Sequence, residues 1–564
     1  MASSPHPPAN PSSPAAATAA TAAARASTVA ASLALPSSHD PVVRIPVWAG
    51  VVVRVLLFTY TDAAPYFRNR VEVVTPITSW KRLQEGLFMY RHGIPPYEGG
   101  VFHQAPLLLI VFNFLPPILI PLLFILLDYW IARALVAVAT HKRALQIAEV
   151  WPPARAAAAL DAAEAKAQEE DDKAQALTML DGTRGGDTVG KSLLTEGGAW
   201  FAKHAGGAEP PVASDEEREI DHDDTVLASM PTTDVPPWLA DDTDAVVQGK
   251  PAYERAGAPP IVKPADPTQP VDNVLHPEDV GSLYLLNPYS IMTCLAQSTL
   301  LFTLLAMVAG LQYAIAGKRA VSMMCLAIAA YLSLYPVMMV APAVLLLAQR
   351  RAISPIQELK TAAPLFLGSL ATIFGLSYLL IGSWEFLPST YGVILSVSDL
   401  TPNIGLFWYF FIEMFDQFRP FFLCVFQIMV FVFVMPISLV FRDHPLFVAF
   451  AMSAIMAIFK PYPSVGDTAL YLAFFAMHQE LFKYMRNNYL VFAAMLFATV
   501  LGPLFHYLWV YAGSGNANFY FAITLVFGLA RIILLTDTGH ALVLREWERL
   551  HPDLRRRRVE IVHK

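Results

Sequence analysis

Residues 283–316 read LYLLNPYSIMTCLAQSTLLFTLLAMVAGLQYAIA, a stretch with no Asp, Glu, Lys or Arg, followed by Lys318 and Arg319. A hydrocarbon layer about 30 Å thick is crossed by about 20 apolar residues in a helix, so this run belongs in a membrane. Working outward, apolar segments of the same kind follow at 320–348, 362–382, 404–417, 420–441, 445–459, 467–482, 489–511 and 518–537. Toward the N-terminus, 45–61 (IPVWAGVVVRVLLFTYT) carries a single internal charge, Arg54, which inserts by snorkelling or by pairing inside a bundle. Residues 105–140 have room for one tilted helix plus a short one, with an interruption expected around Asp128. Breaks at Pro336, Pro342, Pro436, Pro461 and Pro463 blur the count. The expected fold is an all-α, polytopic integral membrane helical bundle of about 10–12 spanning or re-entrant helices. Composition agrees: 564 residues, 55% hydrophobic and only 15% charged, with a mean hydropathy of +0.45, exclude a soluble globular chain.

Two regions depart from this pattern. The tract 1–44 is rich in Ala, Ser, Pro and Thr, lacks the Leu/Val block of a secretory signal, and is expected to be disordered. Between 141 and 280 the chain turns acidic, with 27 Asp and Glu against 12 Lys and Arg over 141–279. It shows no apolar periodicity that would bury a core, so it reads as a disordered, solvated insert that opens on the helix-prone ARAAAALDAAEAKAQEEDDKAQAL. The formal charge of −7 therefore misleads, because the remainder is net basic. The basic clusters His141-Lys142-Arg143, Lys318-Arg319, Arg350-Arg351 and 555–558 mark cytosolic ends, which makes the insert cytosolic and the 62–104 loop lumenal. The domain reading is 1–44 tract, 45–140 first transmembrane helices with a lumenal amphipathic loop, 141–280 insert, 281–540 main bundle and 541–564 basic cytosolic tail.

The first loop places Trp80, Leu83, Leu87 and Tyr90 at helical spacing, as in a helix lying on the membrane surface or packing on the bundle. Its layout resembles glycosyltransferase-C-like membrane enzymes that use dolichol-phosphate sugars, in which a loop carboxylate serves as base. Here Asp62, Glu72, Glu85 and Glu98 are scattered, with no D-x-D or E-x-D pair. Cys294, Cys325 and Cys424 all lie in apolar runs with no C-x-x-C, so core packing is expected and neither a disulfide nor a metal site. No Cys/His or Ser/His pair marks a catalytic centre, and no cofactor or nucleic-acid partner is expected.

Eight blocks, among them RVEVVTPITSWKRLQEG, GIPPYEGGVFHQAPLLL, SDLTPNIGLFWYFFIEMFDQF, IFKPYPSVGDTALYLAFF and YAGSGNANFYFAITL, resemble the signatures of the U subunit (PIG-U) of the glycosylphosphatidylinositol (GPI) transamidase. They occur in the family's order over 45–140 and 280–540. The long acidic insert and the two ends depart from the family's pattern. The resemblance implies a noncatalytic subunit in the endoplasmic reticulum membrane, within a complex that attaches GPI anchors to precursor proteins. Its implied partners are the other subunits, including a cysteine-protease-like catalytic one, the GPI lipid and the precursor's C-terminal signal. The alternatives are a dolichol-phosphate-sugar-dependent GPI mannosyltransferase and a membrane transporter, for which no inverted repeat is visible.

A lipid with acyl chains and a phosphate- and sugar-rich head needs an apolar groove with a few cations and amides at its mouth. By resemblance, Asn516 and Asn518 match the family's Asn-x-Asn step and, with Phe519, are the expected GPI contacts; the amides would point the same way if extended. Capping of a helix is the competing reading of this Asn-rich turn. Arg442 in the RDHP turn is a candidate phosphate partner or a topology marker. Glu413 and Asp416 form a candidate intramembrane polar site unless they pair with Arg419, and Asp467 reads as an N-terminal helix cap.

Overall fold

The computed structural model describes residues 46–150 and 276–550. The tract 1–44, most of the acidic insert with its helix-prone opening, and the basic run 555–558 lie outside the described residues. The helices that position the site are, in chain order, α1 (Val47–Tyr60), α2 (Trp80–Arg91), α3 (Ile120–Val150), α4 (Pro277–Leu286), α5 (Leu300–Ile315), α6 (Arg319–Ser333), α7 (Pro355–Ile381), α8 (Phe407–Glu413), α9 (Arg419–Val432), α10 (Pro445–Phe459), α11 (Val465–Ala476), α12 (Asn488–Val510) and α13 (Ala517–Leu550). No strand occurs among the described residues. Five stretches are long and apolar enough to cross a membrane: Pro117–Gln146, Pro355–Ile381, Asp416–Val440, Asn488–Val510 and Ala517–Leu550. Five shorter apolar helices, α1, α5, α6, α10 and α11, accompany them.

Local sequence sets the boundaries. α7 opens on a capping box between Ser354 and Gln357, has Pro355 in its first turn, and closes on Gly382 at φ 78°, a conformation glycine adopts freely. Pro336 stands where the 320–348 run breaks into α6 and a 3₁₀ turn at Tyr335–Met339. Helix α10 is buried on every side from Pro445 to Ile458, as expected of a helix apolar all round. In α9, by contrast, only Val430 is fully buried; Phe422, Leu423 and Phe426 pack half-buried on the bundle, and Phe421, Val425, Ile428 and Val432 are left for lipid or another protein.

Asp128 does not interrupt the second apolar stretch. The break falls earlier, at Pro116 and Pro117, which cannot donate backbone hydrogen bonds, and α3 then runs unbroken past Asp128. Asp128 is tolerated because it meets Arg54 inside the bundle, Nε to Oδ2 at 2.6 Å, with both side chains fully buried. The guanidinium also donates to the carbonyls of Gly50 (2.9 Å) and Leu285 (2.5 Å) and to Ser290 Oγ (2.8 Å), while the Tyr284 hydroxyl donates to Asp128 Oδ1 at 2.8 Å. Gly50 allows this approach of α1 to α4, since a Cβ there would lie 2.5 Å from Leu285 Cβ. Of the two options for Arg54, pairing inside the bundle is the one realised.

The bundle has two ends of different character. At one, the Arg351 guanidinium donates to the Gly317 carbonyl (3.1 Å), Arg319 grips Glu358 (2.5 and 2.7 Å), Lys142 pairs with Glu480 (2.7 Å) and Gln349 donates to the Arg442 carbonyl (3.3 Å). His141 lies within electrostatic reach of Arg350, so three basic clusters read from the sequence converge on this basic face. The other end carries the 62–104 loop, sewn down where Val465 N donates to the Glu72 carbonyl (3.0 Å) and Thr299 N to that of Thr78 (3.1 Å).

Candidate functional site

The loop face is built on α2. Ser79 caps this helix through Arg82 N, and Trp80, Leu83, Gly86 and Leu87 are buried, with Trp80 edge-on to Phe112 at 5.0 Å. The helix therefore packs on the bundle, with Tyr90 half-buried at the end of its inner face. Arg82 reaches across to Asp399 (2.7 Å), joining the first loop to the segment before α8. Burial opposes ionisation of Asp399, but the Thr401 hydroxyl and amide and the Arg82 guanidinium together hold its carboxyl below the ordinary value. Burial, offset only in part by the Ser389 carbonyl at 2.8 Å, holds the His103 imidazole below its ordinary value. Of the loop carboxylates, Asp62, Glu85 and Glu98 are exposed and separate, and Glu72 is bound to Arg70.

A cleft runs between this loop and the α12–α13 pair. Its inner part, a cavity of about 100 Å³, is walled by residues such as Ile404, Thr499, Gly502, Ile523 and Phe527, with Arg70, Glu72 and Tyr520 among its lining. Its mouth, a wider space of about 480 Å³, is bordered by Asn69, Arg70, Tyr66, Tyr507 and Tyr511. Glu72 grips Arg70 with both carboxylate oxygens, Nε to Oε2 at 3.1 Å and Nη2 to Oε1 at 2.9 Å. Two buried polar atoms nearby, the Tyr520 hydroxyl and His506 Nδ1, have no hydrogen-bond partner among the described residues, and their rings lie 5.3 Å apart.

The turn into α13 stands on the same face. Gly513 takes φ 65°, and Ser514 N and Gly515 N both donate to the Leu508 carbonyl at 3.0 Å. Asn516 Oδ1 accepts from Phe519 N at 3.3 Å, so this residue caps α13, as the competing reading had it. The two amides do not point the same way, because α13 has begun at Ala517 and successive helical side chains diverge by about 100°. Both side chains are exposed, as is Phe519, beside Phe505.

Asn518 accepts a hydrogen bond from the Tyr409 hydroxyl, and Glu413 stands exposed one helical turn further along α8. Asn518 is thus held by a tyrosine 109 positions away that sequence reading missed. Asp416 is exposed at the head of the next membrane stretch. Neither acid pairs with Arg419, whose guanidinium donates instead to the carbonyls of Val397 (2.8 Å), Ser396 (3.4 Å) and Phe411 (3.4 Å), groups left unsatisfied where short helices end. Arg442 sits on the basic face beside His444, which contacts Glu546 near the far end of α13. From Asn518 to Glu546 that helix rises about 40 Å. Arg442 and the Asn516–Asn518 turn therefore do not share a headgroup.

Asp467 does cap α11, but from inside its first turn: its Oδ2 accepts from Ser464 N at 2.9 Å, and its Oδ1 binds Lys460 at 2.7 Å. Cys294 is buried as expected, whereas Cys424 is exposed on α9. Among the described residues no three His, Cys, Asp or Glu are grouped to hold a metal.

The long apolar helices and the buried intramembrane ion pair define a polytopic helical membrane protein. Comparison with known proteins narrows this. The profile of the family described as GPI transamidase subunit PIG-U matches residues 48–181 and 259–527. The human GPI-anchor transamidase component PIGU is 33% identical over 509 residues, covering 89% of this chain and 93% of its own length. The GPI transamidase component GAB1 of Saccharomyces cerevisiae is 37% identical over 49% of this chain and 69% of its own, and the Schizosaccharomyces pombe GAB1 homolog is 28% identical over 87% and 91%. The chain belongs to the PIG-U family.

Proposed function

We propose that this chain is the lipid-holding, noncatalytic subunit of a GPI transamidase complex in the endoplasmic reticulum membrane. It assembles with the other subunits, including the one that performs the cysteine-protease-like chemistry, and presents the GPI lipid and the precursor's C-terminal signal to it. The observation that carries this reading is the exposed Asn516–Asn518–Phe519 turn, on the face opposite the basic clusters and beside an apolar cleft. On this reading the loop face is lumenal, while the basic face, the acidic insert 141–280 and the tail 541–564 are cytosolic. Tyr409 orients Asn518, and Arg442 serves topology or generic phospholipid rather than GPI. A dolichol-dependent mannosyltransferase is not supported: the first-loop carboxylates are not gathered, and Glu72 is committed to Arg70.

The test is rescue in cells lacking the endogenous subunit, reading a surface GPI-anchored reporter together with co-purification of the other subunits. The wild-type chain restores both. Asn516→Ala with Asn518→Ala keeps the complex and loses most of the reporter. A chain that assembles with nothing while its purified form transfers mannose from a dolichol carrier would overturn the proposal.

A further inference from the structure

The cleft between the first loop and the α12–α13 pair is graded along its length. Tyr511 and Ala498 mark its ends on α12, about 20 Å apart by helical rise. The mouth offers Asn69, Arg70 and tyrosine hydroxyls, and the inner cavity, which shares Arg70 and also holds Glu72, is otherwise lined mainly by apolar side chains with Thr499, Thr524 and Tyr520 among them. That order, polar at the loop face and apolar toward the middle of the bundle, is the order of a lipid standing in a leaflet. Three features speak for a ligand rather than a packing defect. Arg70 is held by Glu72 through Nε and Nη2, and its Nη1 has no hydrogen-bond partner among the described residues. Tyr520, a side chain with no exposed surface, is among the residues that line the inner cavity, and its hydroxyl bonds to nothing described. An unsatisfied buried hydroxyl is costly, and a ligand oxygen removes that cost. Gly502 also leaves open space at the cavity wall, its nearest neighbour beyond its own helix being Ile523 Cγ2, 4.0 Å from where a Cβ would stand.

We propose that this cleft is a lipid site in its own right: a phosphate-headed membrane lipid places its phosphate on the free edge of Arg70, an oxygen below it on the Tyr520 hydroxyl, and one acyl chain in the cavity between α12 and α13. Glu72 is a positioning residue, fixing the guanidinium without touching the lipid. This rests on the reading of the chain as a lipid-holding subunit, and adds where the phosphate and the chain go.

The test uses the full-length chain in phosphatidylcholine membranes doped with phosphatidylinositol carrying a photoreactive acyl chain, with labelled peptides mapped by mass spectrometry. Labelling is expected on the α12 and α13 segments that line the cavity. Excess phosphatidylinositol competes, whereas diacylglycerol and inorganic phosphate do not. The double variant Arg70→Gln/Glu72→Gln, which keeps the pair neutral, lowers labelling about tenfold, the size of one charge-assisted hydrogen bond. Tyr520→Phe lowers it about threefold, as for a neutral one. Gly502→Leu fills the cavity, lowers labelling at least tenfold, and raises the melting temperature of the lipid-free protein, so a misfolded chain is not mistaken for a blocked site. Labelling spread over α7 and α9 and indifferent to these variants would overturn the proposal; equal competition by diacylglycerol would overturn its phosphate half. Labelling does not depend on assembly, so a chain that labels in the cleft yet fails to rescue overturns the subunit reading and leaves the site standing.

Discussion

Arg54 with Asp128 and Arg442 with Asp443 are the same two residue types in two regions of one molecule. The first pair is fully buried between α1 and α3, and every polar contact around it is a protein group. The second lies on the basic face at 3.8 Å, both side chains more than two-thirds exposed. Burial makes an ion pair indispensable without making it strongly stabilising, since most of its Coulombic gain is spent on desolvation, and removing one partner strands the other. Exposure makes it nearly irrelevant to folding. Arg70 with Glu72 lies between these limits, held firmly but bordering open space, and it is there that a charged side chain has something left to offer a ligand.

Arg54→Met alone should cost about 3–5 kcal/mol, enough to prevent accumulation of folded protein, while adding Asp128→Leu should recover most of it; expression and thermal unfolding in detergent decide. If the double variant is as damaged as the single one, the pair has a role beyond compensation. Next is Asp399→Asn, which removes the anchor of Arg82 and should cost about 1.5 kcal/mol near neutral pH. Because the Asp399 carboxyl is held below its ordinary value, its contribution is fully present above about pH 4 and is lost as the pH falls through the folded value. The wild-type chain and the Asp399→Asn variant should therefore converge in melting temperature under acid. A gap that does not begin to narrow as the pH falls below the ordinary carboxylate value would sink this account. Smallest is Arg442→Gln, which should leave the melting temperature, the complex and the GPI reporter unchanged. A loss of reporter would restore Arg442 to the site.

The same contrast explains what could be read in advance. Apolar runs and proline breaks announced the helices because lipid and core make the same demand on every residue of a stretch. Asp128 looked like an interruption because its partner lies 74 positions away, and composition carries no sign of a pair at that separation. Asn516 and Asn518 were identified from the family's Asn-x-Asn step, but their directions depended on whether the chain was extended or helical there, and the helix begins between them. Arg442 was grouped with them because sequence holds no depth coordinate. Arg70, two residues before Glu72, and Tyr520, just past Phe519, lie within the signature blocks, but their residue types and spacing carry no sign of a site. Only the fold shows that one has a free edge and the other a hydroxyl without a partner.

The central helix α10 has 15 residues and rises about 22 Å, well short of the roughly 30 Å of hydrocarbon around it. A protein whose innermost column is shorter than its solvent is thick carries a dent. If the end of α10 beside His444 stood at one interface, a straight column of this length would stop short of the other, near where Lys460 meets Asp467. On the proposed reading, a substrate still rooted in the bilayer meets the protein within the leaflet, and the energetic cost of pulling its acyl chains into water does not arise.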